Sequence, residues 1–182
     1  DSTLFIGTKF HGVWKTTDGG NSWTEANSGL TIQDVRALAV SPNYANDGTL
    51  FVGTSSGGIF KSTNGGGNWT KVDGGVIGNA ISSLAISPVY ATDGQVFVAT
   101  DGSGIFASTD GGNTWAPRNN GLAPITWINE LLISPNYGAD HILFARSGNT
   151  VFKSVNQGND WAPLGTALSN VTTLAISPNF AN

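Results

Sequence analysis

The octet STDGGNTW, Ser108 to Trp115, has three relatives in this chain of 182 residues: TTDGGNSW from Thr16, STNGGGNW from Ser62 and SVNQGNDW from Ser154. Their third residues, Asp18, Asn64, Asp110 and Asn156, follow one another at steps of 46 residues. A fixed period of that length means one supersecondary unit used repeatedly, each copy burying its apolar face against the next. A second marker keeps pace with the first: LAVSPNYAND at Leu38, LAISPVYATD at Leu84, LLISPNYGAD at Leu131 and LAISPNFAN at Leu174.

Between the markers lie TLFVGTSSGGIFKS, QVFVATDGSGIFAS and ILFARSGNTVFKS, short β-type runs broken by glycine-rich turns. In the second copy strand A runs from Val35 to Ser41, B from Leu50 to Thr54, C from Ile59 to Thr63, and D starts at Trp69. Four antiparallel strands in one period is the size of a propeller blade. Helical periodicity is absent. The 25 glycines and the 11% share of charged residues suit many strands joined by tight turns.

Residue 1 falls just before a strand B and residue 182 just after a strand A. Writing the end before the beginning gives LAISPNFAN-DSTLFIGT, which reads like LAVSPNYANDGTLFVGT of the second copy. From Asn156 round to Asp18 is 44 residues, so the four steps account for the whole chain. The last strand A is therefore expected to complete the first blade and remove exposed strand edges. It does so in its own chain, giving a four-bladed ring, or in a neighbouring copy by exchange of residues 171–182, giving an eight-bladed dimer or a filament. The expected organisation is one domain over residues 1–182. Its blades are about 1–34 plus 171–182, 35–79, 80–126 and 127–170.

The pattern Ser/Thr-x-Asp-x-Gly-x-x-Trp resembles the Asp-box, or bacterial neuraminidase repeat. It is matched fully by Thr16, Asp18, Gly20 and Trp23 and by Ser108, Asp110, Gly112 and Trp115. Asparagine replaces the aspartate in the other two copies, Ser62, Asn64, Gly66, Trp69 and Ser154, Asn156, Gly158, Trp161. The resemblance implies an all-β propeller of four four-stranded antiparallel Asp-box blades, with each octet at the hairpin between the third and fourth strands. It also implies a bacterial or archaeal protein outside the cytoplasm, extracellular or at the cell surface. Activity does not follow, because such propellers occur in sialidases, xyloglucan-cleaving glycosidases, sortilin-type receptors and an assembly factor of photosystem II.

The residues themselves favour a structural role for the octet. A short Asp or Asn side chain accepts hydrogen bonds from nearby backbone N–H groups, and either residue serves. A general acid or nucleophile would not survive replacement by an amide in half the copies. A bound cation at the aspartate turns is the alternative.

Enzyme chemistry is not expected. Arg36, Arg118 and Arg146 do not occupy equivalent stations, and Tyr44, Tyr90 and Tyr137 share a station with Phe180, which marks them as packing residues. Only Glu25 and Glu130 are glutamates. Glu130 sits in a strand A where other copies have Ala37, Ser83 and Thr173, facing either the channel or a salt bridge to Arg36 or Arg146. His11 and His141 cannot make a metal site unaided. No cofactor is called for.

Net charge is −4, with eight basic residues scattered singly, so nucleic acid and anionic membrane are not expected partners. There is no apolar run of membrane-span length. The chain opens Asp1-Ser2-Thr3 with no signal-type leader, and reads as a processed product or an excised segment. Because strands alternate direction, the two conserved turns share one face and the sequence that varies between copies shares the other. Phe10, His11, Asp101, Trp127 and Glu130 are the candidate binding residues there, for another extracellular protein or a glycan.

Overall fold

The computed structural model describes residues 2–76, 80–124, 127–165 and 168–180. Four antiparallel meanders follow one another. The first has three strands, β1 (Leu4–Gly7), β2 (Val13–Thr16) and β3 (Thr24–Glu25). The second contains β4 (Val35–Val40), β5 (Leu50–Thr54), β6 (Ile59–Ser62) and β7 (Thr70–Lys71). The third contains β8 (Ile81–Ile86), β9 (Val96–Thr100), β10 (Gly104–Ser108) and β11 (Ala116–Pro117), and the fourth β12 (Glu130–Ile133), β13 (Leu143–Ser147), β14 (Thr150–Ser154) and β15 (Ala162–Pro163). In each sheet every strand pairs with the next, and β4, β8 and β12 lie side by side. This is a β-propeller.

The outer strand of the second blade begins one residue later than the sequence implies. The Trp69 N–H donates across the blade boundary to the Ser28 carbonyl at 2.8 Å, so it is withdrawn from the ladder. The SPNYAND segments hold more than turns. Tyr44–Asp47, Tyr90–Asp93 and Tyr137–Asp140 are single-turn helices, α1 to α3, too short for any periodicity to announce them. The Ser41 hydroxyl donates to Asp47 Oδ2 at 2.7 Å while Asp47 Oδ1 accepts the Thr49 N–H at 2.7 Å, and the Ser87–Asp93 and Ser134–Asp140 pairs repeat the arrangement. Among the described residues no helix is long and apolar enough to cross a membrane.

The core lies between blades. Three buried clusters each join residues of two successive blades; one, for instance, unites Phe97, Ile105 and Leu122 with Leu131, Leu143 and Trp161. A fully buried side chain of this size contributes about 1.5–3 kcal/mol. Two contacts recur at every boundary. Phe5, Phe51 and Phe97 meet Tyr44, Tyr90 and Tyr137 of the following blade edge to face, at 5.6, 6.1 and 5.8 Å. The indole N–H of Trp69, Trp115 and Trp161 donates to a carbonyl of the preceding blade, that of Ala26 at 2.7 Å, Val72 at 2.6 Å and Arg118 at 2.9 Å.

Residues 171–178 form no ladder, and β1 pairs only with β2 among the described residues. The C-terminal segment instead lies along the last blade. Phe180 stacks edge to face on Phe144 at 5.7 Å, continuing the series of aromatic pairs. Among the described residues the fourth strand expected in the first blade is not paired with β1, and the first sheet has three strands.

Blade contact leaves no room at certain glycines. Gly121 has φ of 86°, and a Cβ there would lie 2.0 Å from the Trp161 carbonyl oxygen. Gly148 has φ of 54° but nothing within 4 Å. Gly121→Ala should cost about 3 kcal/mol from backbone strain and overpacking together, and Gly148→Ala only about 1 kcal/mol from strain alone, read as midpoint shifts in urea unfolding.

Candidate functional site

Each octet closes on itself through its first and third residues. The hydroxyl oxygens of Thr16, Ser62, Ser108 and Ser154 accept the N–H of Gly20, Gly66, Gly112 and Gly158 at 3.1, 3.0, 2.8 and 2.9 Å. The same hydroxyls donate to Oδ1 of Asp18, Asn64, Asp110 and Asn156 at 2.6, 2.9, 2.7 and 3.0 Å. That Oδ1 also accepts the N–H four residues on, from Ser22, Asn68, Thr114 and Asp160, at 3.0, 2.8, 2.9 and 2.9 Å. Only the second side-chain atom distinguishes Asp from Asn. Asp18 Oδ2 and Asp110 Oδ2 accept the hydroxyls of Ser22 and Thr114, at 2.6 and 2.7 Å. Asn156 Nδ2 donates to Asp160 Oδ2 at 2.7 Å, so donor and acceptor have changed places. Gly112, with φ of 91°, leaves room for the Phe51 ring, which a Cβ would approach to 2.5 Å.

These donors stabilise the charged carboxylates. The Ser22 hydroxyl, then the Thr16 hydroxyl and the Ser22 N–H, hold Asp18 well below the usual carboxylate range. The Thr114 N–H and hydroxyl, with the Ser108 hydroxyl, lower Asp110 to about 2.

Glu130 ties the C-terminal segment to the fourth blade. Arg146 Nε donates to its Oε2 at 3.2 Å, and the carboxylate also accepts the Thr173 hydroxyl at 2.8 Å and the Leu174 N–H at 3.0 Å. Ser83, at the same station one blade earlier, does the same with the Leu131 N–H at 3.1 Å. Of the two arginines expected as partners, Arg146 is the one used; Arg36 pairs with Asp34 at 3.2 Å. Arg146 further donates to the Val171 carbonyl at 3.4 Å, a role that its lack of counterparts in the other copies concealed.

The candidate residues of the variable face fall into two places. Asp101 and Trp127 form an antiparallel bridge, and Trp127 is 65% exposed. Within the segment from Leu122 to Asn129, Leu122 and Ile128 are core residues, and 125–126 lie outside the described residues. Phe10 is exposed under the Lys9 ammonium, 5.1 Å from its ring centroid, and the His11 carbonyl accepts the Asn27 amide at 3.0 Å. Asn27 was not singled out from sequence, yet its Oδ1 takes the Val13 N–H at 2.7 Å, and Asn119 repeats this with Ile105. Their shared station relative to the octets was the available signal. The tyrosine hydroxyls contribute bonds beyond packing: Tyr137 donates to Gln95 Oε1 at 2.6 Å, and Tyr90 to the Gly111 carbonyl at 3.2 Å.

Residues 45–174 match the family described as the DUF6242 beta propeller domain. No curated protein matches the chain. Among solved structures it is similar to an ancestral GH74 enzyme, with a TM-score of 0.72 at 23% identity over 88% of this chain and 22% of that one. It is similar to the Niastella koreensis GH74 enzyme, with a TM-score of 0.68 at 24% identity over 92% and 29%. The extracellular domain of the putative one component system BT4673 from B. thetaiotaomicron gives a TM-score of 0.69 at 17% identity over 92% and 21%. At these identities the likeness is one of fold, and the chain spans less than a third of each of these proteins.

The lowered carboxylates predict an acid response. Asp18 and Asp110 contribute stability that is present above their unfolded values, near pH 4, and is lost as pH falls through their folded values. Asp110→Asn should therefore flatten the fall in urea midpoint between about pH 4 and pH 2. An unchanged acid profile would contradict this.

Proposed function

The chain belongs to the DUF6242 beta propeller domain family, and on that premise we propose that it is a non-catalytic Asp-box propeller module, a scaffold that presents its variable face to an extracellular protein or a glycan. The observation that carries this reading is where the carboxylates spend their hydrogen-bonding capacity. Asp18 and Asp110 are engaged by hydroxyls and backbone N–H groups of their own turns, and Glu130 by Arg146, Thr173 and Leu174. The octets also keep their geometry when Asn takes the place of Asp, which a reacting carboxylate would not permit.

The variable face offers an exposed indole at Trp127 beside Asp101, and an exposed ring at Phe10 beside His11. An aromatic face next to a hydrogen-bond acceptor suits stacking on a sugar ring or anchoring a partner's side chain. A location outside the cell is supported by the likeness to an extracellular domain.

A glycan array and a panel of secreted proteins test the binding role, alongside a panel of glycoside substrates. Trp127→Ala should weaken whatever binding is found by about tenfold or more, with no change in unfolding midpoint, since the side chain is exposed. Hydrolysis of a glycoside by this chain would replace the scaffold reading with that of a segment of a larger glycoside hydrolase or sialidase-like propeller.

A further inference from the structure

Asparagine followed by glycine occurs twice in the chain, at Asn64-Gly65 and at Asn120-Gly121. This pair of residues carries its own chemistry, because glycine has no side chain to keep its backbone nitrogen away from the amide carbon of the preceding asparagine. The two sites stand in opposite surroundings. Gly65 is buried and its N–H donates to the Gly48 carbonyl at 2.9 Å, while Asn64 Oδ1 is held by the Ser62 hydroxyl at 2.9 Å and the Asn68 N–H at 2.8 Å. Asn120 and Gly121 are both exposed. Among the described residues the Gly121 N–H has no acceptor, and the Asn120 side chain is held only through Nδ2, which donates to Asp160 Oδ1.

We propose that Asn120 is a site of spontaneous deamidation in the folded protein, and that its conversion loosens the boundary between the third and fourth blades. The Gly121 nitrogen, once it gives its proton to water or hydroxide, attacks Asn120 Cγ. The new N–Cγ bond closes a succinimide ring, the Cγ–Nδ2 bond breaks, and Nδ2 leaves as ammonia with a proton taken from water. Water then opens the ring at either of its carbonyls, giving aspartate or, with the main chain rerouted through the side chain, isoaspartate. Water is the only co-reactant. Asn64 is spared, because the nitrogen that would attack it is engaged by Gly48 and its own carbonyl is fixed from two sides.

Asn120 stands on the boundary itself. Its carbonyl accepts the Trp161 N–H at 2.9 Å, and it runs beside Asp160 as a parallel bridge. Other copies put Ser28 and Gly74 at this station, and the asparagine here meets Asp160, an acid that only this octet carries at its seventh position. Aspartate in place of Asn120 exchanges a donor for a second carboxylate facing Asp160, and the like charges repel. Isoaspartate lengthens the main chain by a methylene where Gly121 already passes too close to the Trp161 carbonyl to admit a Cβ. This goes beyond the scaffold reading and stands apart from it, since it holds or fails without any ligand on the variable face.

Incubation of the 182-residue chain at mildly alkaline pH, native and in urea, followed by peptide mapping in a mass spectrometer, reads the exchange of amide nitrogen for oxygen at each asparagine. In the native chain Asn120 should be converted about tenfold faster than Asn64 or more, and in urea the two should react at similar rates, since only the fold separates them. The urea midpoint of the native chain should fall as the converted fraction rises. Asn120→Ser, which introduces the residue that the first blade carries at this station, should keep its midpoint through the same incubation. Asn64 reacting as fast as Asn120 in the native chain overturns the site, and so does an Asn120 that stays intact there while the chain in urea reacts. A midpoint that stays level as Asn120 is converted, or that falls equally in Asn120→Ser, overturns the effect on the blade boundary.

Discussion

The contact on which this fold depends is the one between blades. A three- or four-stranded sheet with an outer strand of two residues cannot bury its own apolar face, and none of the four does so alone. Each is completed by its neighbour through a buried indole whose N–H finds a carbonyl in the preceding blade, and through a phenyl ring set against the next blade's tyrosine. The close approach that makes these bonds possible also dictates glycine at Gly121, where any side chain would strike the Trp161 carbonyl.

The octets serve that contact. Their hydroxyl and carboxylate or amide groups form a closed ring of hydrogen bonds that positions the tryptophan, and the ring tolerates Asn in place of Asp because its essential atom is Oδ1, common to both. At Asn156 the remaining atom is a donor, and Asp160, where Ser22 and Thr114 carry hydroxyls, supplies a carboxylate to accept from it. Polar groups spent in this way are not free for chemistry, and this directs a functional reading to the opposite face, where the sequence departs from its own repeat.

Much of the architecture was legible because a 46-residue period reports the strands, their order and the inter-blade tryptophans together. Strand B of the second blade runs over Leu50 to Thr54 as read from the sequence. What escaped the sequence is local or singular. A four-residue helix such as Tyr44–Asp47 is shorter than the pattern that would reveal it. Arg146 stands where other blades carry Gly7, Gly53 or Ala99, and its link to Glu130 and Val171 belongs to one blade only, so no repetition pointed to it. The C-terminal strand could be matched by sequence to the first blade of its own chain or of a neighbouring copy; its hydrogen bonds to Glu130 place it beside the inner strand of the fourth blade, a contact common to both. The exposure of Trp127 depends on where a unique loop runs, and a period says nothing about that.

The claim that stability resides between blades is tested most directly by making one substitution at two stations of the same repeat. Trp115 is buried, its N–H bonded to the Val72 carbonyl of the preceding blade, whereas Trp23, in the first blade, is only partly buried. In urea unfolding, Trp115→Phe should lower stability by about 2 kcal/mol, through a lost hydrogen bond and a cavity, and Trp23→Phe by less than about 0.5 kcal/mol. Equal losses at the two positions would mean that the indole stabilises its own hairpin and not the boundary between blades.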